Sequence, residues 1–280
     1  MLMNDSSQKA LLCPGCRKLV SADELHCPHC GLSRPGAWWR HGFAARLMAD
    51  GDQLLKVIII VNVVMYLLSL VFGSRGLHLS ANPMTLLAPA PQELLNLGAT
   101  GTIPIDGYHR WWTLISASYL HGGLLHILFN MLALRQIAVL VIQTYGTHRM
   151  LAIYTLSGVV GFALSYLAGV RFTIGASAAI CGLIGAALYY GKHRGGLFGQ
   201  AVYRQVGGWV IGIALLGFII PGINNWAHGG GLVAGILLGW LLGYREQKAA
   251  SAAHRLIGTL CLYGTAAILL WAIIGSLGFV

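Results

Sequence analysis

The sequence predicts an all-α membrane protein: a six-helix transmembrane bundle, a seventh transmembrane helix at its C-terminal end, and a small zinc ribbon in front. Three observations carry this. Hydrophobic residues make up 56% of the 280 residues and charged residues only 9%, where a soluble domain carries roughly 25% charged residues. Seven apolar stretches of near-helical length follow one another after residue 53. Four cysteines in the first thirty residues fall in two Cys-x-x-Cys pairs. The 38 glycines fit helices that approach closely through small side chains.

Residues 1–36 form the first element, a polar module rich in Cys, Pro and His. Cys13 and Cys16, with Cys27 and Cys30, have the spacing of tetrahedral thiolate ligands to Zn²⁺. A module this small cannot bury enough core to fold alone, so metal would supply its stability. A cytoplasmic, reducing setting disfavours disulfides. His26 and His29 are not needed, since four thiolates suffice. A structural metal in a module that binds a cytoplasmic partner, or a second copy of the chain, is the expected role. Residues 37–53, with Trp38, Trp39, Arg40 and Arg46, read as an interfacial approach to the bilayer. Asp5, Asp23, Glu24, Asp50 and Asp52, with no apolar core run, argue against a cleavable signal peptide in this stretch.

The apolar spans fall at about 54–73, 124–142, 150–169, 176–191, 207–222, 225–243 and 257–279, against the ~20 residues that cross a hydrocarbon core. The fourth and fifth are short, which is tolerable for helices enclosed by others or facing a water-filled cavity. A six-span core of residues 54–243 is thus followed by a loop and the seventh span in 244–280. Charge sets the orientation. With the N-terminus inside, the cytoplasmic segments hold Lys9, Arg17, Lys18, Arg34, Arg40, Arg46, Lys56, Arg149, Lys192, Arg194, Arg204, Arg245, Lys248 and Arg255, and the outer ones only Arg75, Arg110 and Arg171. That asymmetry predicts N-in and C-out. The formal charge of +10 is scattered between spans rather than gathered in a stripe, which excludes a nucleic-acid reading. The long outer connection 74–123, with Tyr108, Trp111, Trp112, Tyr119 and leucines at 86, 87, 94 and 95, predicts short helices in the outer interface.

Spans two, four and six start on one side, and each opens on polar residues: His126 and Asn130, Ser177, and His228. Polar groups at membrane depth are costly and need a reason. Ser177, after Gly175 and Ala176, meets the unpaired N–H groups and positive end of a helix, which stabilise an oxyanion. His228 leads a stripe with Gly231, Gly235 and Gly239, and Ser177 one with Cys181 and Gly185. Two small-residue stripes permit the close approach that would let the imidazole take the serine proton. No Asp or Glu lies in spans two to six, so a Ser–His dyad is the strongest arrangement left. His126 and Asn130 share a helix face and would donate to the oxyanion. The blander readings are a back-bonded serine, a packing histidine and an interhelical polar clamp; His121 reads as a supporting residue and Cys261 as packing.

These motifs, His126-x-x-x-Asn130, Gly175-x-Ser177 and Ala227-His228-x-x-Gly231-x-x-x-Gly235, each opening its own span, resemble those of rhomboid intramembrane serine proteases. The resemblance covers about residues 54–243. It implies Ser177 as nucleophile, His228 as general base, His126 and Asn130 as oxyanion donors, and substrates that are membrane-spanning proteins cut within the bilayer without catalytic metal or ATP. The sequence departs from that pattern at Ala178, commonly Gly; at Cys181, commonly an aromatic that stacks on the histidine; and at Trp112-Thr113, commonly Trp-Arg. A bacterial inner membrane is the expected location. The rival reading is an inactive relative that binds membrane proteins for quality control; a channel is disfavoured by the lack of internal repeats.

Overall fold

The computed structural model describes residues 10–16, 18–37, 42–72 and 85–278. Trp38, Trp39, Arg40 and Arg75 lie outside the described residues. The chain divides into two compact units, residues 1–54 and 55–280.

The first unit opens on a hairpin, β1 (Ala10–Leu12) and β2 (Leu19–Ser21), with Leu11 opposite Val20. Its core is Cys13, Val20 and Cys27, with Leu11, Cys16 and Leu32 packed around them. Two cysteines thus stand where a larger domain would place leucines. Helix α1 (Phe43–Ala49) follows, and Asp50 caps the start of α2 (Gly51–Val71) by accepting from the N–H groups of Asp52 and Gln53.

The second unit carries the long helices in the predicted order: α2, then α6 (Leu124–Tyr145), α7 (Thr147–Leu167), α8 (Ser177–Arg194), α9 (Gly196–Ile219), α10 (Asn225–Leu242) and α11 (Ala252–Ser276). Among the described residues, three short α-helices, α3 (Pro91–Asn96), α4 (Thr102–Tyr108) and α5 (Thr113–Ser116), lie between α2 and α6. Five of the described helices, α2, α6, α7, α9 and α11, are long and apolar enough to cross a membrane by length and composition. The other two, α8 and α10, have 18 residues each and hold Ser177 and His228. Helix α8 packs against α6, α7, α9 and α10 and is mostly buried. A helix wrapped by other helices need not be greasy all round.

The fifth span is longer than the expected 207–222. Helix α9 starts at Gly196, because Gly195 and Gly196, with φ of 69° and 63°, turn the chain tightly after α8. The extra turns are amphipathic: Gly199, Val202 and Val206 are buried, while Gln200, Arg204 and Gln205 face out. Those polar residues masked the span's start in the sequence.

The long connection is a buttress rather than a surface ornament. Leu94, Leu95 and Tyr119 are buried, while Tyr108 and Trp111 stay exposed. Thr100 and Thr173 exchange backbone bonds of 3.1 and 2.7 Å, and Gly175 N–H donates to Ala117 C=O. Both contacts pin the segment that leads into α8. Thr113, where the resemblance expects arginine, donates through its hydroxyl to Arg110 C=O at 2.6 Å.

Helices α8 and α10 meet backbone to backbone. A β-carbon on Gly231 would strike the carbonyl of Ala178, one on Gly235 the carbonyl of Gly182, and one on Gly185 the carbonyl of Leu232. The facing stripe on α8 therefore runs through Ala178, Gly182, Gly185 and Ala186, and Cys181 turns away from it. On the other side Gly161 of α7 leaves the same kind of room for Ala227 C=O. Gly235→Val is expected to cost about 3 kcal/mol of unfolding free energy, read as a lowered thermal midpoint in detergent. Gly208→Val, at a position with open space, should stay within about 0.5 kcal/mol. Equal losses would contradict this packing.

Candidate active site

Ser177 is the first residue of α8, and its position is set by the residue two before it. Gly175 has φ of 123°, a conformation that side-chain-bearing residues rarely adopt. A β-carbon there would also fall 2.8 Å from His126 Nε2. Glycine is thus required twice, for the turn and for the imidazole beside it. No side chain caps α8, so its leading N–H groups and the positive end of its dipole lie at the serine.

His228 stands in the first turn of α10. Its Nε2 lies 2.8 Å from Ser177 Oγ. Its Nδ1 is buried and makes no hydrogen bond. With Nδ1 unengaged, no acidic or carbonyl partner orients the ring from behind; the α8–α10 packing and the helix start must do so. The helix start is held by Asn224, which the sequence reading passed over. Its Oδ1 accepts from Ala227 N–H at 3.1 Å, and its Nδ2 donates to Ser165 Oγ at 2.6 Å and Thr173 Oγ1 at 2.9 Å. One amide thereby ties α10 to the end of α7 and to the segment before Ser177. The pair Asn224-Asn225 after Pro221-Gly222 is a helix-start signal that could have revealed it.

His126 lies on the third side of the serine. Gly122 N–H donates to its Nδ1 at 3.2 Å. A nitrogen that accepts carries no proton, so the neutral ring bears its hydrogen on Nε2, the atom beside Gly175. The His121 ring meets the His126 ring edge to face, with centroids 5.1 Å apart. Burial, with the charge of His126 adding to it, holds His121 well below its ordinary pKa, so it supports His126 as a neutral ring. Asn130 is buried on the same face of α6, but its Nδ2 donates to His126 C=O at 2.8 Å rather than reaching the serine. The structure thus brings Ser177, His228 and His126 together and sets Asn130 one turn back.

Cys181 is one turn below Ser177. It lines a cavity of about 200 Å³ between α8, α9 and α10, together with Ile184, Val210, Phe218, Leu232 and His228. Among the described residues no aromatic ring stacks on His228; the thiol leaves that flank open to the cavity.

The second constellation is in the first unit. The Sγ atoms of Cys13, Cys16, Cys27 and Cys30 all lie within 4.8 Å of one another, with Cys13–Cys30 and Cys16–Cys27 at 3.7 Å. That is far beyond the ~2.05 Å of a disulfide. It is close to the edge of a tetrahedron with a ~2.3 Å zinc–sulfur bond, about 3.8 Å. Burial works to raise the Cys27 thiol, but N–H groups of His29 and Cys30 and the neighbouring thiols bring it down to about 7. The donor set therefore fits a tetrahedral thiophilic cation.

The chain is similar to known proteins. A family model of the Rhomboid domain matches residues 108–245. Rhomboid protease GluP of Bacillus subtilis is 34% identical over 161 residues, covering 56% of this chain and 31% of that protein. RHOMBOID-like protein 5 of Arabidopsis thaliana is 35% identical over 172 residues, covering 58% of this chain and 53% of that one. YdcA of Bacillus subtilis, whose name also carries the word rhomboid, is 33% identical over 141 residues, covering 50% of this chain and 71% of that protein. The chain spans between about a third and a half of the length of the first two.

The cap at the start of α10 is testable. Asn224→Ala is expected to cost about 1–2 kcal/mol, seen as a lower unfolding midpoint, while Asn224→Asp, which keeps the accepting oxygen, should recover part of it.

Proposed function

Because the chain belongs to the rhomboid family and holds Ser177 Oγ within 2.8 Å of His228 Nε2, we propose that it is an intramembrane serine endopeptidase working through that dyad. Substrates are membrane-spanning proteins whose helix unwinds at the start of α8. His228 Nε2 takes the hydroxyl proton as Ser177 Oγ bonds to the scissile carbonyl carbon, and the carbonyl electron pair moves to oxygen. The oxyanion is met by the His126 Nε2–H, by N–H groups at the start of α8 and by the dipole of that helix. Asn130 supports it by fixing His126 through the carbonyl it holds, or directly once its amide turns. As the tetrahedral species collapses, the C–N bond breaks and the imidazolium returns its proton to the leaving amine. Water then attacks the acyl group, with His228 again as base. The distance between the two side chains is the observation that carries this reading.

The orientation that fits is N-terminus in the cytoplasm and C-terminus outside, in a bacterial inner membrane, with Ser177 near the outer face. Zn²⁺ held by Cys13, Cys16, Cys27 and Cys30 is structural: it stabilises a module too small to fold on apolar burial alone, and it presents that module to a cytoplasmic partner. It supplies no chemistry at the dyad.

In detergent or liposomes, wild-type protein should cleave a model transmembrane substrate, while Ser177→Ala and His228→Ala should give none. His126→Ala should lose about 10²-fold in kcat. A fluorophosphonate should label Ser177 in the folded wild type. No labelling and no cleavage by a folded sample would instead identify an inactive, substrate-binding relative. Purified protein should carry about one zinc per chain; Cys27→Ser with Cys30→Ser should remove the metal and leave fluorophosphonate labelling of Ser177 intact. Loss of labelling with the metal would contradict a purely structural ion.

A further inference from the structure

The end of the bundle away from Ser177 carries an excess of positive charge: among the described residues, Arg149, Arg245, Lys248 and Arg255 stand beside one carboxylate, Glu246, which is paired with Arg194. Helices α8 and α10 lead from the dyad to this end, a distance of ~27 Å at 1.5 Å per residue. Here α7 and α11 both begin, and they begin side by side: a β-carbon on Gly258 of α11 would meet the backbone of His148 at 2.7 Å. A helix start is the positive pole of its dipole and ordinarily draws Asp or Glu. Neither first turn holds an acid. Each instead holds a His-Arg pair, His148-Arg149 and His254-Arg255.

The connection from α10 to α11 adds more positive charge. The Arg245 guanidinium lies against Gly146, at the break between α6 and α7, with Nε and Nη2 3.1 Å from the point where a β-carbon would sit. The charges of Arg149, Lys248 and Arg255 all act on His254, and that of Arg245 on Arg149. Glu246 is the nearby acid on this connection, and its carboxylate is committed to Arg194 at 3.1 Å.

Arg149 forms the floor. It is 2% exposed. Nη1 and Nη2 donate to the carbonyls of Gly243 and Lys248, which anchors the connection, but its Nε–H has no acceptor. A buried guanidinium with an unmet donor is a costly feature. It lies among three further cations and two helix starts.

We propose that Arg149, Arg245, Lys248 and Arg255, with the uncapped start of α7, form a binding site for a phosphate group; the start of α11 is closed by Ser251, whose Oγ accepts from His254 N–H at 3.3 Å. Phosphate matches the fork geometry of arginine and the N–H groups of a helix start. A phospholipid headgroup and a soluble phosphate offer the same chemistry. The site bridges α7, α10 and α11, so an occupant would clamp the seventh helix onto the core. It is independent of proteolysis.

The test uses the full chain, delipidated in an uncharged detergent. Dioleoyl phosphatidylglycerol, dioleoyl phosphatidylcholine and inorganic phosphate are titrated separately, with bound ligand read by native mass spectrometry and the unfolding midpoint in parallel. Retention of phosphatidylglycerol over phosphatidylcholine, with a raised midpoint, identifies a lipid headgroup as occupant. Protection by millimolar inorganic phosphate identifies a soluble one. Arg245→Gln, Lys248→Gln and Arg255→Gln combined spare the buried anchor and should weaken the binding on the order of tenfold to a hundredfold. A control double variant, Lys192→Gln and Arg204→Gln, which leaves the Arg194–Glu246 pair intact, should bind as wild type. Equal retention of phosphatidylglycerol and phosphatidylcholine with no protection by inorganic phosphate, or equal loss in both variants, would overturn the site.

Discussion

The distance of closest approach between α8 and α10 governs the rest of this molecule. Three glycines on one helix or the other receive carbonyl oxygens of its neighbour, so the two backbones touch where most helix pairs are spaced by side chains. This fixes their rotation and depth together. A serine at the start of one and a histidine in the first turn of the other then meet, with no hydrogen bond to the far nitrogen of the histidine to steer its ring. In a bilayer no hydrophobic force separates lipid contact from helix contact, and close packing is what holds helices together. The same contact that stabilises the core therefore builds the dyad.

The surrounding structure reads as reinforcement of that contact. The connection before α6 bonds to the segment entering α8 through Thr100, Thr173 and Ala117. Asn224 binds the opening of α10 to the same segment. Gly122 sets the tautomer of His126 from outside the helix. Each acts on the first turn of a helix, where backbone groups are unpaired and a single hydrogen bond shifts the side chains that follow.

Much of this was legible in the sequence, for identifiable reasons. Apolar length gave seven helices in order, because the lipid core demands it of any spanning segment. The polar residues at the helix starts stood out because polar groups are rare there. The four cysteines pointed by spacing alone to a cluster that could hold a metal ion, and their sulfur atoms do gather within 4.8 Å of one another. What stayed hidden depends on rotation and partner choice. The start of α9 was lost because its first turns are amphipathic and resemble a loop. The stripe on α8 was placed on Cys181 rather than Gly182 because spacing alone cannot choose between adjacent faces of a helix. Asn130 shows the same limit: its position on the face of His126 was readable, but its bond back to the His126 carbonyl was not. The long connection holds short helices, as its leucine and aromatic patches suggest, but the burial of Leu94 and Leu95 is not readable there, because no periodicity distinguishes a short buried helix from an interfacial one.

Gly175 has a consequence for how such a chain can drift. Every one of the other nineteen residue types carries a β-carbon, so no missense change at this codon is neutral while the imidazole of His126 and the left-handed backbone are both in use. The turn belongs to the fold and not to any chemistry, so a change at this codon would be felt in the segment entering α8 whether or not the serine and histidine beside it act on a substrate.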